Sequence, residues 1–149
     1  MVYRLRHREF IGYHVYTAHR ALAKNLDATL APFGITSSQW NALQQLEEHG
    51  AMTQRELAEL LNKEQATVAR LIDRLVKHGL VKRAPHPTDR RANMVENTRK
   101  ASDLLVQAQS AVVASADAIA SGVSDDDLAT FFKVLDQVSG NALNAIEGD

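Results

Sequence analysis

The chain contains no cysteine. Disulfides, thiolate metal sites and cysteine redox switching are therefore excluded, in keeping with a reducing compartment. Aromatic residues are scarce, at 5% of 149 positions, and Ala and Leu dominate the apolar set, which favours helices. Long apolar runs are missing too: none approaches the ~18 residues of a bilayer span. The opening "MVYRLRHREF" is charged where a secretory signal would be apolar, so the expected setting is cytoplasmic. No repeat, low-complexity tract or flexible linker interrupts the chain. What is present is a 45% hydrophobic content, enough for a real core in one domain.

The net charge of −1 conceals a segregation. Residues 51–100 hold eleven Lys/Arg against six Asp/Glu, residues 101–149 one Lys against eight acids, and residues 1–50 five against four. A basic middle beside an acidic C-terminal segment is the pattern of a local polyanion-binding surface on a nearly neutral protein.

Apolar spacing then sets the elements. Ile11, Val15, Ala18, Leu22, Leu26 and Leu30 recur at helical steps, and "APFG" (31–34) opposes continuation. A second helix is expected from "TSSQW", capped by Ser or Thr, through Leu43 and Leu46 to Gly50. Thr53 and Glu56 have capping-box spacing, with Leu57, Leu60 and Leu61 as the buried side of the helix that follows. Val68, Leu71, Ile72, Leu75 and Val76 mark the inner face of the next, and Gly79 suits its left-handed exit. The period changes at "LVKRA" and "ANMVEN", two strand-like pieces joined by a turn holding Pro85 and Pro87. Thr98 is placed to cap a helix carrying Ala101, Leu104, Leu105, Ala108, Ala111, Val112 and Ile119. Beyond Gly122, Ser124 and Asp127 repeat the capping-box spacing ahead of Leu128, Phe131, Phe132, Leu135, Val138, Leu143 and Ile146.

A short helix, a tight polar turn, a longer helix and a basic hairpin follow in the order of a winged helix-turn-helix. With the apolar face of the longer helix buried, Gln65, Ala66, Thr67, Arg70 and Arg74 remain on its accessible side. First-turn side chains of such a helix reach base edges in a major groove, and an arginine one turn on reaches guanine or phosphate. Thr53, Gln54 and Arg55, at the start of the preceding helix, are candidates for a backbone phosphate. At the hairpin tip, the planar guanidinium of Arg91 suits a narrow minor groove and Arg90 a phosphate. Asp89 would repel DNA; two residues before Arg91, it can hold that guanidinium or cap the turn. An ordinary solvated surface helix and a charged turn fit each piece singly; their adjacency favours duplex DNA.

"LAELLNKEQATVARLIDRLVKHGLVKRAPHPTDRRA" resembles the DNA-binding half of the MarR family, nearest its SlyA-like members, and "HRALAKNLDATLAPFGITSSQWNALQQL" is similar to the family's first two helices. The family's wing signature, D-x-R, five residues, then L-T-x-x-G, reads here as Asp89, Arg91, Asn97, Thr98 and Ala101, with Asn in place of Leu and Ala in place of Gly. The resemblance implies a mainly α fold with a small β-hairpin wing, in which residues 36–98 form the DNA-binding lobe. It implies a homodimer built from residues 1–32 and 99–149, a near-palindromic operator, and release of a repressor by a small aromatic acid. The residues agree on assembly: Phe131 and Phe132 point about 100° apart on a helix, more apolar surface than one thin subunit covers.

The positions matching the family's effector pocket are Tyr13, His14, Tyr16, Thr17, Thr36, Ser38 and Trp40, with His14 or Arg20 to meet a carboxylate. Aromatic walls and hydroxyls suit a phenolic or benzoate-like molecule, though Trp40 and the tyrosines fit a core equally well. His7, His14, His19, His49, His78 and His86 form no H-x-x-x-H pair, so neither a metal nor another cofactor is expected. With no Gly-rich phosphate loop, nucleophile–base pair or carboxylate pair, no enzyme is expected. The competing reading is a helical dimer that binds a small molecule or protein without a specific DNA site.

Overall fold

The computed structural model describes residues 10–147; His7 and the first nine residues of the expected N-terminal dimerisation segment lie outside them. In chain order the described elements are α1 (Ile11–Leu30), a 3₁₀ turn (Ala31–Phe33), α2 (Ser37–His49), β1 (Met52–Thr53), α3 (Gln54–Leu61), α4 (Gln65–Lys77), β2 (Val81–Pro85), β3 (Asn93–Asn97), α5 (Arg99–Ala120) and α6 (Asp125–Glu147). They fall into two units, one ending at Ser115 and the other starting at Ala116.

In the first unit, local chemistry sets the helix starts. Thr36 caps α2 with a complete capping box: its hydroxyl accepts the Gln39 amide (3.2 Å) and the Gln39 side chain accepts the Thr36 amide (2.9 Å). Thr53 and Glu56 do the same for α3, at 3.2 and 2.7 Å. Such caps are each worth ~0.5–2 kcal/mol. Pro32 sits in the 3₁₀ turn after α1, and Gly34, at φ 73°, supplies the left-handed residue that turns the chain towards α2.

The core joins Leu43 and Leu46 of α2, Leu57 and Ala58 of α3, and Val68, Ile72 and Leu75 of α4 to Val81 and Val95 of the sheet and to Ala101, Leu105 and Ala108 of α5. A fully buried Leu, Ile or Val contributes about 1.5–3 kcal/mol, so this lobe has its own folding energy. Leu60 corrects the expected buried side of α3, being half exposed. At 100° per residue it lies on the flank away from Ala58, and the stripe that faces inwards is Leu57, Ala58 and Leu61.

The expected hairpin is part of a three-stranded antiparallel sheet in the order β1-β3-β2. β2 pairs with β3 from Val81↔Asn97 to Pro85↔Asn93, and β1 adds Met52↔Val95 and Thr53↔Met94. The two-residue β1 is too short to show any periodicity. The substituted wing signature is accommodated locally. Asn97 Nδ2 donates to the Leu43 carbonyl and to Glu47 Oε2, both at 2.8 Å. The Thr98 hydroxyl donates to the Gly79 carbonyl (2.7 Å) and accepts the Ala101 amide (3.4 Å). Ala101 itself is fully buried.

Of the apolar face of α1, Leu30 is buried and Leu26 partly so, whereas Ile11, Val15 and Leu22 are exposed. In the second unit, the Ser124 hydroxyl caps α6 by accepting the Asp127 amide (3.1 Å) and donates to its carboxylate (2.8 Å). Asp125, Asp126 and Asp127 complement the positive helix end. No residue of α6 is buried, and Phe131, Phe132, Val134, Leu143 and Ile146 all stand exposed.

Candidate nucleic-acid interface

The pair α3–α4 is held at a tight turn. α3 ends on Asn62 in the left-handed region (φ 49°), a conformation asparagine tolerates, and the Lys63 amide closes the turn on the Ala58 carbonyl at 3.0 Å. Burial of Val68, Leu71, Ile72 and Leu75 fixes the rotation of α4. Gln65, Ala66, Thr67, Arg70 and Arg74 are consequently all exposed on its outer side. The far end of α4 is clamped: Lys100 Nζ donates to the His78 carbonyl at 2.9 Å, complementing the negative helix end.

Two basic residues near this face are already neutralised. Arg83 of β2 pairs with Asp73 of α4, and Lys82 with its cross-strand neighbour Glu96 at 3.0 Å. The first contact ties the wing to α4. Arg55 pairs with Glu59 one turn along α3 at 3.3 Å, both well exposed, a pair worth only ~0.3–0.5 kcal/mol that a phosphate can displace. Thr53 is more committed: Glu56 takes its amide and also its hydroxyl, which donates to Oε2 at 2.9 Å. The Thr53 amide, then its hydroxyl, hold the Glu56 carboxyl below the usual range. Any phosphate at this end competes with that carboxylate, which leaves Gln54 and Arg55 better placed than Thr53.

At the wing tip, Arg90 and Arg91 are exposed and have no acidic partner among the described residues. Asp89 caps the turn: its Oδ1 accepts the Arg91 amide at 2.9 Å and leaves the guanidinium unbound. His86, considered from the sequence only as a metal ligand, does as much. His86 Nδ1 accepts the backbone amides of Thr88 (3.2 Å) and Asp89 (3.0 Å). The His86 amide in turn donates to the Ala92 carbonyl, and the Ala92 amide to that of Asp89, both at 3.3 Å. A histidine flanked by two prolines was the available signal.

The effector candidates do not converge within the chain. Tyr13, His14, Tyr16, Thr17 and Arg20 lie along the exposed side of α1. There Tyr13 and His14 meet edge-on at 5.8 Å, the Thr17 hydroxyl returns to the Tyr13 and His14 carbonyls, and Arg20 stacks over Tyr16 at 5.8 Å. Thr36 is spent on its capping box. Ser38 lines a cavity of about 240 Å³ with Lys63, Thr67, Arg70, Leu71 and Arg74, which places it on the basic face of α4. Trp40 is a core residue whose edge borders a separate cavity of about 370 Å³ between α2 and α5, with Gln44, Glu47, Ser102 and Gln109. Lys63 is thus a cation beside α4 that was not anticipated.

Residues 35–92 match the model of the MarR family. Over 82 residues the chain is 43% identical to the HTH-type transcriptional regulator YwoH of Bacillus subtilis (strain 168), an alignment that spans 55% of this chain and 59% of that relative's length. Among solved structures, a cysteine-to-serine variant of MarR from E. coli in complex with operator DNA matches with a TM-score of 0.84 and 26% identity, over 89% of this chain and 97% of the other. The transcriptional repressor CouR, bound to a 23-mer DNA duplex, shares the fold at a TM-score of 0.83 and 22% identity, over 93% and 99% of the two chains.

Proposed function

We propose that the chain is a winged-helix transcriptional regulator of the MarR family, whose model matches residues 35–92, and that it binds operator DNA as a homodimer; the relative YwoH and the MarR structure with operator DNA support this reading. The observation that carries the reading is the pairing of two unneutralised arginines on an internally bonded tip with the exposed row Gln65, Thr67, Arg70 and Arg74 on α4. In this reading α4 enters the major groove, where Gln65 and Thr67 meet base edges and Arg70 meets a guanine edge or phosphate. Arg91 occupies the adjoining minor groove, and Arg90, Arg74 and Arg55 take phosphates. Residues 36–98 are the DNA-binding lobe. The exposed apolar faces of α1 and α6, taken separately, support assembly through residues 1–32 and 99–149. Two lobes of a dimer would then read half-sites one DNA turn, about 34 Å, apart.

Repression relieved by a small aromatic acid completes the reading. Its support is the resemblance together with the row of rings on α1, Tyr13, His14 and Tyr16, with the Arg20 guanidinium beside them. Because Ser38 and Trp40 sit in different cavities, an effector site on α1 would need its remaining wall from a second subunit.

Sequencing the DNA retained from a genomic fragment pool tests the function. A near-palindrome should be enriched, with log affinity falling steeply against log salt. Gln65→Ala or Arg70→Ala should relax base choice, whereas Arg90→Ala should weaken all duplexes alike. Enrichment of no sequence would favour the helical dimeric binding module instead.

A further inference from the structure

The wing tip is shaped by an acceptor that can be switched off. His86 Nδ1 receives two backbone amides, from Thr88 and Asp89, with the Thr88 hydroxyl also 3.4 Å away. A backbone N–H can only donate, so the ring proton must reside on Nε2 while these bonds exist. Imidazole is the side chain whose charge ordinarily changes between about pH 5 and 8, and an imidazolium has no lone pair left at Nδ1. Protonation would set three N–H groups against one another inside a seven-residue loop, 86–92. Asp89 is one of the two donors held, and its carboxylate in turn fixes the Arg91 amide. Displacement at His86 is therefore passed through a single residue to the arginine assigned to the minor groove.

We propose that His86 is a positioning residue for Arg91, its neutral ring latching the wing tip and its protonation releasing it, so that the wing is a proton-sensitive part of the DNA interface. This rests on the DNA-binding reading for its consequence, though not for the latch itself. Other titratable groups surround the ring. Glu56 and Glu59 of α3 and His49 of α2 border the same cavity, of about 580 Å³, together with Met52 and Met94. Glu59 is paired with Arg55, Glu56 is held by Thr53, and Asp89 lies on the loop itself. His49 is an imidazole as well, so pH alone does not identify the responsible group.

His86→Asn identifies it. The asparagine Oδ1 can take the place of Nδ1 as an acceptor and does not titrate, while His49, Glu56, Glu59 and Asp89 are unchanged. Proton–nitrogen correlation spectra of the full chain between pH 7.5 and 5.5 should show the Thr88, Asp89 and Arg91 amides moving together with the His86 ring signals. In His86→Asn those three amides should stay fixed. Identical profiles in the two proteins would overturn the latch. Anisotropy with a fluorescent mixed-sequence duplex at constant ionic strength supplies the second arm. Across the same pH drop, the parent should lose affinity several-fold relative to His86→Asn. A relative gain by the parent would mean that the added positive charge acts merely as another phosphate contact, and would overturn the positioning role. Failure of both proteins to bind at pH 7.5 would refute the DNA reading, and the amide shifts alone would then decide the latch.

Discussion

Replacing Asn97 by leucine, the residue of the family's wing signature, should leave stability within about 1 kcal/mol of the parent, whereas alanine should cost about 2 kcal/mol. The magnitudes follow from the bonds. Asn97 Nδ2 gives one hydrogen bond to the Leu43 carbonyl and one to the Glu47 carboxylate, worth about 0.5–1.5 and 1.5–3 kcal/mol. Against this, Asn97 Oδ1 is buried with no partner, a desolvation cost of about 1–3 kcal/mol that either substitution removes. Leucine adds apolar burial at about 0.8 kcal/mol per methylene and closes the balance; alanine leaves a void. Glu47 is not abandoned, because the Ser102 hydroxyl still donates to it at 2.9 Å. Urea denaturation followed by far-UV circular dichroism, with m held constant across the series, is the measurement. A leucine variant destabilised by more than about 3 kcal/mol would refute the reasoning, because the two Nδ2 bonds would then outweigh any penalty at Oδ1.

Three further outcomes follow from the fold. Leu57→Ala should cost about 2–5 kcal/mol and Leu60→Ala less than about 0.5 in the same assay, since only Leu57 is buried; equal losses would place α3 in a different rotation. Glu56→Gln retains a capping-box side chain but removes an acid dependence. The Glu56 carboxyl titrates below the ordinary glutamate range when folded, because the Thr53 amide and hydroxyl donate to it, so its contribution is complete above the ordinary range and fades as pH falls through the lowered folded value; acid unfolding curves of the two proteins should converge at low pH. If the proposed homodimer forms through α6, Phe131→Asp with Phe132→Asp should shift it to monomer in sedimentation equilibrium while the helical circular dichroism largely persists. Retention of the dimer would remove α6 from the interface.

Legibility in the sequence followed the range of the interaction. The Thr53–Glu56 and Ser124–Asp127 caps were readable because donor and acceptor lie three residues apart and depend on nothing else. The rotation of α4 was readable for a similar reason: a single strong apolar stripe leaves one possible outer face. β1 was not, because two residues acquire strand geometry only by pairing with Val95 and Met94, some forty positions away. Leu60 deceived because leucines at 57, 60 and 61 satisfy helical spacing although only one flank of so short a helix is covered. The role of Asp89 was half-read, as turn cap or guanidinium holder, and the backbone amide decided it. His86 was weighed only as a metal ligand, because accepting from backbone leaves no partner type to find in the sequence. The dispersal of Thr36, Ser38 and Trp40 shows why residues close in sequence do not define a pocket: Thr36 is the cap of α2, and on the helix itself Ser38 meets the basic side of α4 while Trp40 enters the core.

The most direct test of the central claim is the affinity of Arg91→Ala for the enriched duplex at physiological salt, beside the parent protein. Loss of a guanidinium from the minor groove should weaken binding by about 1–3 kcal/mol per site, roughly 5- to 150-fold, with the fold unchanged. An unaltered dissociation constant would mean that the wing tip does not enter a groove of the duplex, and the assignment of this surface to DNA would fail.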